Sequence, residues 1–375
     1  MNKAYKYRLY PNGEQATLIN KTFGCVRFVY NKMLTDRISV YEQYRNNKEE
    51  LKRQKYKRPA DFKEEYPWLK EVDSLALANA QLNLQRAYAN FFRDKTVGFP
   101  KFKSKRRSNK TYTTNNQNGT IRLIDGQTIR LPKLKDVKIK LHRPLPEDAV
   151  IKSATISCTS TNKYYLSILV EYSAEITPVE PMMGTVLGLD YSSGSLYVDS
   201  NGESAEYPRF YRKAESKLKK EQRKLSRRKE GGSNWKKQRQ RVAKLHEKTA
   251  NQRKDFLHHM SRQIANAYDA VGVEDINMRS MAQCLNLAKS TNDNGFGMLR
   301  NFLDYKLTEQ GKQLVVMDKW YPSSKTCFPC KNINHDLKLS DRTWTCPKCG
   351  AVLERDPNAA CNIQYEACRL LGLVS

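Results

Sequence analysis

Residues 3–10 alternate in character: Tyr5, Tyr7 and Leu9 fall on one side, Lys6, Arg8 and Tyr10 on the other, and Pro-Asn-Gly follows. A period of two closed by a turn predicts a strand. From about Glu14 to Arg58 the period becomes helical, with Phe23, Val26, Tyr30 and Leu34 as the buried stripe. A second helix is expected after Tyr-Pro-Trp, capped by Ser74, with Leu75, Ala78, Leu82, Ala89 and Phe92 as its apolar face. Short strands then recur between turn signals, over residues 120–124, 128–131, 137–141, 151–159 and 164–172. That spacing predicts a small barrel or sandwich, which the strand at residues 3–10 would join across the helical insert.

The pattern changes again after Pro181. An apolar run, 186–190, ends in Asp190 and is followed by a Ser-Gly turn and a second strand, 196–199. Residues 212–254 are almost wholly charged and predict two long helices joined at Gly231–Gly232. An apolar stripe returns at Phe256, Met260, Ile264 and Ala267, and a short buried strand then leads to Glu274. A helix over 297–310 (Met298, Phe302, Tyr305), a strand over 313–318 and a last helix from Asp356 to Leu371 complete the pattern. These elements predict an α+β multidomain chain.

Charge narrows the partner. Of 375 residues, 67 are Lys or Arg and 39 are Asp or Glu, a net charge of +28. So large an excess repels itself unless a polyanion balances it, and nucleic acid is the natural candidate. A membrane surface is disfavoured, because the basic residues are spread along the chain and no stretch resembles a signal peptide or a membrane span. Two stretches concentrate the charge. Residues 97–114, broken by Gly98 and Pro100, carry Lys101, Lys103, Lys105, Arg106 and Arg107 among Phe99, Phe102 and Tyr112, and read as a phosphate-contacting loop. Ten Lys and Arg lie between Arg212 and Lys229, Lys219, Lys220, Arg223, Arg227 and Arg228 among them. Their nearly single sign favours a nucleic-acid face over a solvated helix surface.

Four of nine cysteines form two Cys-x-x-Cys knuckles, Cys327/Cys330 and Cys346/Cys349, fifteen residues apart. Four thiolates at this spacing suit a closed tetrahedral zinc site with a structural role; a redox pair would need only one knuckle. The other five cysteines are scattered, which fits a reducing cytoplasm. Three carboxylates attract notice: Asp190 and Glu274 at strand ends, and Asp356 at a helix start before Pro357. Each has an ordinary alternative. Asp356 could be an N-cap, Asp190 could serve the turn, and Glu274 could pair with a lysine. Together they could hold two magnesium ions and activate water against a phosphodiester.

The runs GLDYSSGSLYVDSNG, VGVEDINMRSM, PSSKTCFPC, LSDRTWTCPKCG and RDPNAACNI, in this order, closely resemble the TnpB family of transposon-encoded RNA-guided DNA endonucleases, relatives of the miniature type V CRISPR effectors. FGCVRFVYN and VGFPKFKSK extend a weaker resemblance into the first half. The resemblance implies that Asp190, Glu274 and Asp356 form a RuvC-like catalytic triad and that the knuckles lie in a zinc-binding insert. It implies a wedge β-barrel (1–13 and 110–180) split by a helical recognition domain and basic linker (14–109). An RNase H-like nuclease domain (181–322 and 353–375) would follow, interrupted by a zinc ribbon (323–352). Glu354 stands where the family often has Asp. Implied partners are a guide RNA from the transposon end and double-stranded target DNA beside a short flanking motif, with one protein copy per guide favoured, in a bacterial or archaeal cytoplasm and at the nucleoid when DNA is bound. A guide-directed repressor that does not cut, and a strand-transferring transposase, remain the rival readings.

Overall fold

In the computed structural model, which describes residues 1–284, 288–338 and 340–374, the opening alternation forms strand β1 (Asn2–Tyr10) and buries Tyr5, Tyr7 and Leu9. The Pro-Asn-Gly run that follows starts a helix. Asn12 Oδ1 accepts from Gln15 N while Gln15 Oε1 accepts from Asn12 N, a reciprocal cap that launches α1 (Gly13–Tyr44). Its predicted stripe, Phe23, Val26, Tyr30 and Leu34, is buried. The stretch expected to stay helical to Arg58 instead breaks after Tyr44 into α2 (Lys48–Arg53) and α3 (Phe62–Glu65).

In α4 (Ser74–Arg93) the existence of the helix agrees with the pattern but its cap and phase differ. Asp73 caps it by accepting from Leu75 N, and Ser74 is instead bonded by the Lys63 ammonium. The buried face is Ala76, Leu77, Ala80 and Leu84, leaving Leu82 and Phe92 49% and 77% exposed. Small alanines next to leucine let α4 lie close on its neighbours, so Leu82, two positions from both Ala80 and Leu84 and hence on the opposite side of the helix, turns outward.

Six further strands complete this first unit (Met1–Ala174): β2 (Lys110–Asn115), β3 (Arg122–Asp125), β4 (Thr128–Leu131), β5 (Lys135–Lys140), β6 (Val150–Cys158) and β7 (Tyr164–Glu171). With β1 they form one antiparallel sheet in the order β2-β6-β7-β1-β5-β4-β3. β1 thus joins the later strands at the centre, as expected. β2 lies inside the stretch read as a basic loop; it pairs along β6 and buries Tyr112 and Thr114.

The second unit (Glu175–Ser375) is built on β8 (Val186–Ser192) and β9 (Leu196–Asp199). α5 (Phe210–Ser226) and α6 (Ser233–Ala267) form the charged pair, but α6 runs unbroken through the apolar stripe at Phe256–Ala267 that had read as a separate segment. Then come β10 (Ala270–Val273), α7 (Met278–Cys284), α8 (Ala288–Asn294), α9 (Phe296–Thr308) and β11 (Gln313–Val316). In α9 the buried face is Phe296, Leu299, Leu303 and Leu307, rather than Met298 and Tyr305, which are exposed. A small hairpin, β12 (Thr343–Thr345) and β13 (Val352–Glu354), leads directly into α10 (Arg355–Leu370).

The main sheet has the order β11-β10-β8-β9, with β8, β10 and β11 parallel and β9 antiparallel to β8. β10 is buried along its whole length and β8 over its first five residues, which explains their continuous apolar character. α10 lies against them so closely that glycine is required beneath it. A Cβ at Gly188 would sit 2.1 Å from the Ala360 carbonyl oxygen and 2.6 Å from Gln364 N. At Gly272 it would press on Ile363 and Ala367 at 3.0–3.1 Å. Gln364 Nε2 donates to the Val186 carbonyl at 2.7 Å, pinning the helix along the strand.

Candidate metal centres and basic surfaces

Asp190 belongs to β8, not to the turn after it, and its carboxyl group is buried. Burial pushes that carboxyl well above the usual carboxylate range. The negative charges of Glu274 and then Asp356 push in the same direction, and Arg355 partly opposes them. Glu274 and Asp356, from two other parts of the sequence, are therefore within electrostatic reach of Asp190.

Glu274 stands just beyond β10, where the strand delivers it to the same end of the sheet as Asp190. Its own carboxyl is also raised by burial, with the Ser323 hydroxyl acting against the shift by donating to Oε1. Asp356 is the second residue of α10. The N-cap position is held by Glu354, whose side chain makes no capping bond, so the capping alternative for Asp356 does not hold. Its Oδ1 instead accepts from Arg355 Nε at 3.2 Å and Nη2 at 3.1 Å, and Arg342 Nη1 lies 3.5 Å from Oδ2.

The donor set fits a divalent cation by its chemistry. Three carboxylates, one of them held toward its neutral form by burial and then by the charges of the other two, are hard oxygen ligands, and a 2+ ion would relieve both penalties on Asp190. The four cysteines are more tightly gathered. Cys327 and Cys349 Sγ are 3.6 Å apart, as are Cys330 and Cys346. Among the described residues these four form the one group whose ligand atoms all lie within 4.8 Å, close enough to hold a metal ion. Backbone N–H groups of Cys349 and Lys348 help hold the Cys346 thiol down at about 6. Trp344 and Leu337 pack against Cys327 and Cys346, a core too small to be stable on apolar burial alone.

The basic candidates divide. Lys101, Lys105, Arg106 and Arg107 are exposed. Lys103 is not a solvated contact: its ammonium lies 3.9 Å from the centre of the Tyr30 ring, and its backbone N and O bond the Asn31 amide at 2.8 and 2.9 Å. Phe99 packs edge-on against Tyr88 and Phe91, leaving Phe102 the more exposed aromatic of that run. On α5, Lys219, Lys220 and Arg223 are exposed, as is Arg227 at its C-terminal cap, whereas Arg228 beyond it is half-buried and donates to the Asn234 carbonyl. The helix is less single-signed than its composition suggested. Glu215 pairs with Lys219 and Lys289, and Glu221 pairs with Lys224. No helix among the described residues is long and apolar enough to cross a membrane.

Sequence reasoning missed Ser323, Arg342 and Arg355 as neighbours of the carboxylates. Ser323 sits in the quoted run PSSKTCFPC and Arg342 and Arg355 flank the hairpin, but only the fold shows what they touch.

Residues 167–285 match a family model described as OrfB_IS605, “Probable transposase”, and residues 296–363 match a Cas12f1-like TNB domain. Residues 1–46 match a model described as a helix-turn-helix domain, although here they fold as a strand followed by a single 32-residue helix. A Streptomyces pristinaespiralis protein named “Putative RNA-guided DNA endonuclease” is 36% identical over 97% of this chain and 89% of its own. A protein of the same description from Escherichia coli (strain K12) is 30% identical over 96% and 91%. The fold is similar to that of a chain in the cryo-EM structure of the Cas12f1-sgRNA-target DNA complex, with a TM-score of 0.60, 14% identity, and coverage of 97% and 98%.

Proposed function

Because this chain belongs to the TnpB family, we propose that it is an RNA-guided, magnesium-dependent DNA endonuclease with Asp190, Glu274 and Asp356 as its catalytic carboxylates. The observation that carries the reading is the buried Asp190 carboxyl, at the same sheet end as Glu274 and near Asp356, held toward its neutral form first by burial and then by those two charges. The arginines account for Asp356 but leave Asp190 buried beside Glu274, an arrangement that a bound cation would relieve. Two magnesium ions bound there would polarise the scissile phosphate and make water acidic enough to attack it. Asp190 and Glu274, fixed at neighbouring parallel strand ends, would hold the ions on the sheet. Asp356 would complete the set from the start of α10, turning from its arginine partners as it does so. Arg355 and Arg342 would then be available to meet the phosphate's charge.

The four cysteines would hold a structural zinc, since a set of four thiolates leaves no open position for substrate. We read the seven-stranded sheet as the wedge barrel, 14–109 as the recognition domain, 181–322 with 353–375 as the RNase H-like nuclease domain and 323–352 as its zinc ribbon. Guide RNA would select the target by base pairing, while the protein reads a short flanking motif. Its net charge of +28 suits two polyanionic partners.

The test is cleavage of a matched duplex by the guide-loaded chain, with magnesium or with EDTA. Cutting should require the metal and a complementary guide; unchanged cutting in EDTA would refute the metal assignment. Duplex held but never cut would leave a guide-directed repressor. The transposase description of the matched family model favours one second reading, strand transfer, which covalently joined donor and target products would reveal.

A further inference from the structure

The knuckle approach and the carboxylate end of the sheet are linked by a buried chain of hydrogen bonds. Ser323 is 2% exposed and its hydroxyl donates to Glu274 Oε1. Its own carbonyl oxygen accepts from Asn362 Nδ2 at 2.9 Å. The same Nδ2 donates to the Thr326 carbonyl at 2.6 Å, and Asn358 Nδ2 donates to that carbonyl at 2.8 Å. Asn358 Oδ1 then accepts from Phe328 N, inside the first knuckle between Cys327 and Cys330, at 2.9 Å. Tyr321 adds a bond from its hydroxyl to the Asn362 carbonyl at 3.1 Å. Both asparagines are buried on α10, two and six residues beyond Asp356.

A glutamate has three side-chain torsions, so a carboxylate at a strand end is not oriented by the strand alone. One fixed oxygen removes most of that freedom. The serine that fixes it is held by its carbonyl and by burial, and its peptide is tied to the helix carrying Asp356. A helix former chosen for packing alone could not make the bonds by which each amide nitrogen reaches a loop carbonyl, bonds kept here even though Asn362 Oδ1 is buried without a partner.

We propose that Ser323 is a positioning residue for Glu274, and that Asn358 and Asn362 couple it to the cysteine module, so that ordering of the module sets the orientation of the carboxylate. The proposal rests on Glu274 being one of the nuclease carboxylates. It acts through a hydroxyl donor, so the donor and not the volume at position 323 is what matters.

The test uses the full chain in two states. Without nucleic acid, it is titrated with manganese chloride by calorimetry; loaded with guide, it is assayed for target affinity and for cleavage at saturating target. Ser323→Ala should weaken manganese binding and slow cleavage by about 10–100-fold, the range for groups that orient metal ligands, while target affinity stays unchanged. Ser323→Thr, which keeps a hydroxyl, should recover most of both. Asn362→Ala should lower both in the same direction. Should Ser323→Ala fail to fold, judged by its melting transition, Ser323→Cys carries the same measurements with a weak donor of similar size. Wild-type manganese affinity and rate in Ser323→Ala or Ser323→Cys would overturn the positioning role, and wild-type values in Asn362→Ala would overturn the coupling. Glu274→Gln runs in parallel: cutting at the wild-type rate there overturns the proposed function as well, whereas its failure beside an unaffected Ser323→Ala overturns only this inference.

Discussion

The two candidate metal centres solve opposite problems. The cysteine site is assembled from 23 consecutive positions, 327–349, and closes on itself, with four sulfurs all within 4.8 Å. The carboxylate site is drawn from β8, the end of β10 and the start of α10, and its third member is turned toward two arginines. Local ligands bind a metal in order to make a fold; distant ligands need a fold in order to bind a metal. The first centre should therefore govern stability and the second activity.

The sharpest way to break that contrast is to remove a carboxylate. Asp190→Ala, Glu274→Ala or Asp356→Ala should each reduce target cleavage by at least about a thousandfold, the order set by several kcal/mol of lost charge stabilisation. Guide and target binding should survive, as measured by gel shift; loss of guide binding in all three would remove the distinction. Cys346→Ser is the reciprocal change. Bound zinc, measured by plasma mass spectrometry, should fall several-fold, and protease should open the region around 323–352 first. Full metal content in that variant would contradict a four-thiolate site.

A pH experiment sharpens the electrostatics. The folded-state carboxyl of Asp190 is raised, so the folded chain binds a proton more tightly than the unfolded chain. Stability of the metal-free protein should therefore fall as pH rises above the ordinary aspartate value, about 4, toward the raised one. Asp190→Asn removes that dependence. The metal-free variant should melt a few degrees above wild type at pH 7–8 and level with it near pH 4, by calorimetry; equal melting at both would mean that neither burial nor the neighbouring charges penalise the Asp190 carboxylate. The smallest effect is expected at Arg342, whose own side chain is largely exposed where it meets Asp356. Arg342→Ala should change stability by no more than about 0.5 kcal/mol in urea titration, so any marked loss of cleavage would point to a role with the substrate.

The contrast also explains what the sequence could reveal. The cysteine spacing alone identified its centre, because the ligands and the geometry are both local. Strand alternation placed β1 and β5–β7 well, since each buries one face, and a continuous apolar run placed β8. Helix faces were harder. In α4 a run of leucines and alanines supports more than one stripe, and packing chose Leu77 and Leu84 over Leu82. β2 was hidden because Lys110 and its basic neighbours drew attention from the Tyr112/Thr114 alternation. The carboxylates could be singled out by position at element ends and by family resemblance, but their mutual repulsion, the arginines at Asp356 and the serine at Glu274 exist only once strands far apart in sequence are paired.

The glycine floor beneath α10 sets an order of assembly. Gly188 is shaped to receive the backbone of residues 360–364, about 170 positions further on, and Gly272 awaits Ile363 and Ala367. During synthesis, β8 and β10 must therefore leave the ribosome with one side of their sheet uncovered, and keep it so until the last helix emerges. A half-made chain holds Asp190 and Glu274 but neither the helix that seals them nor Asp356.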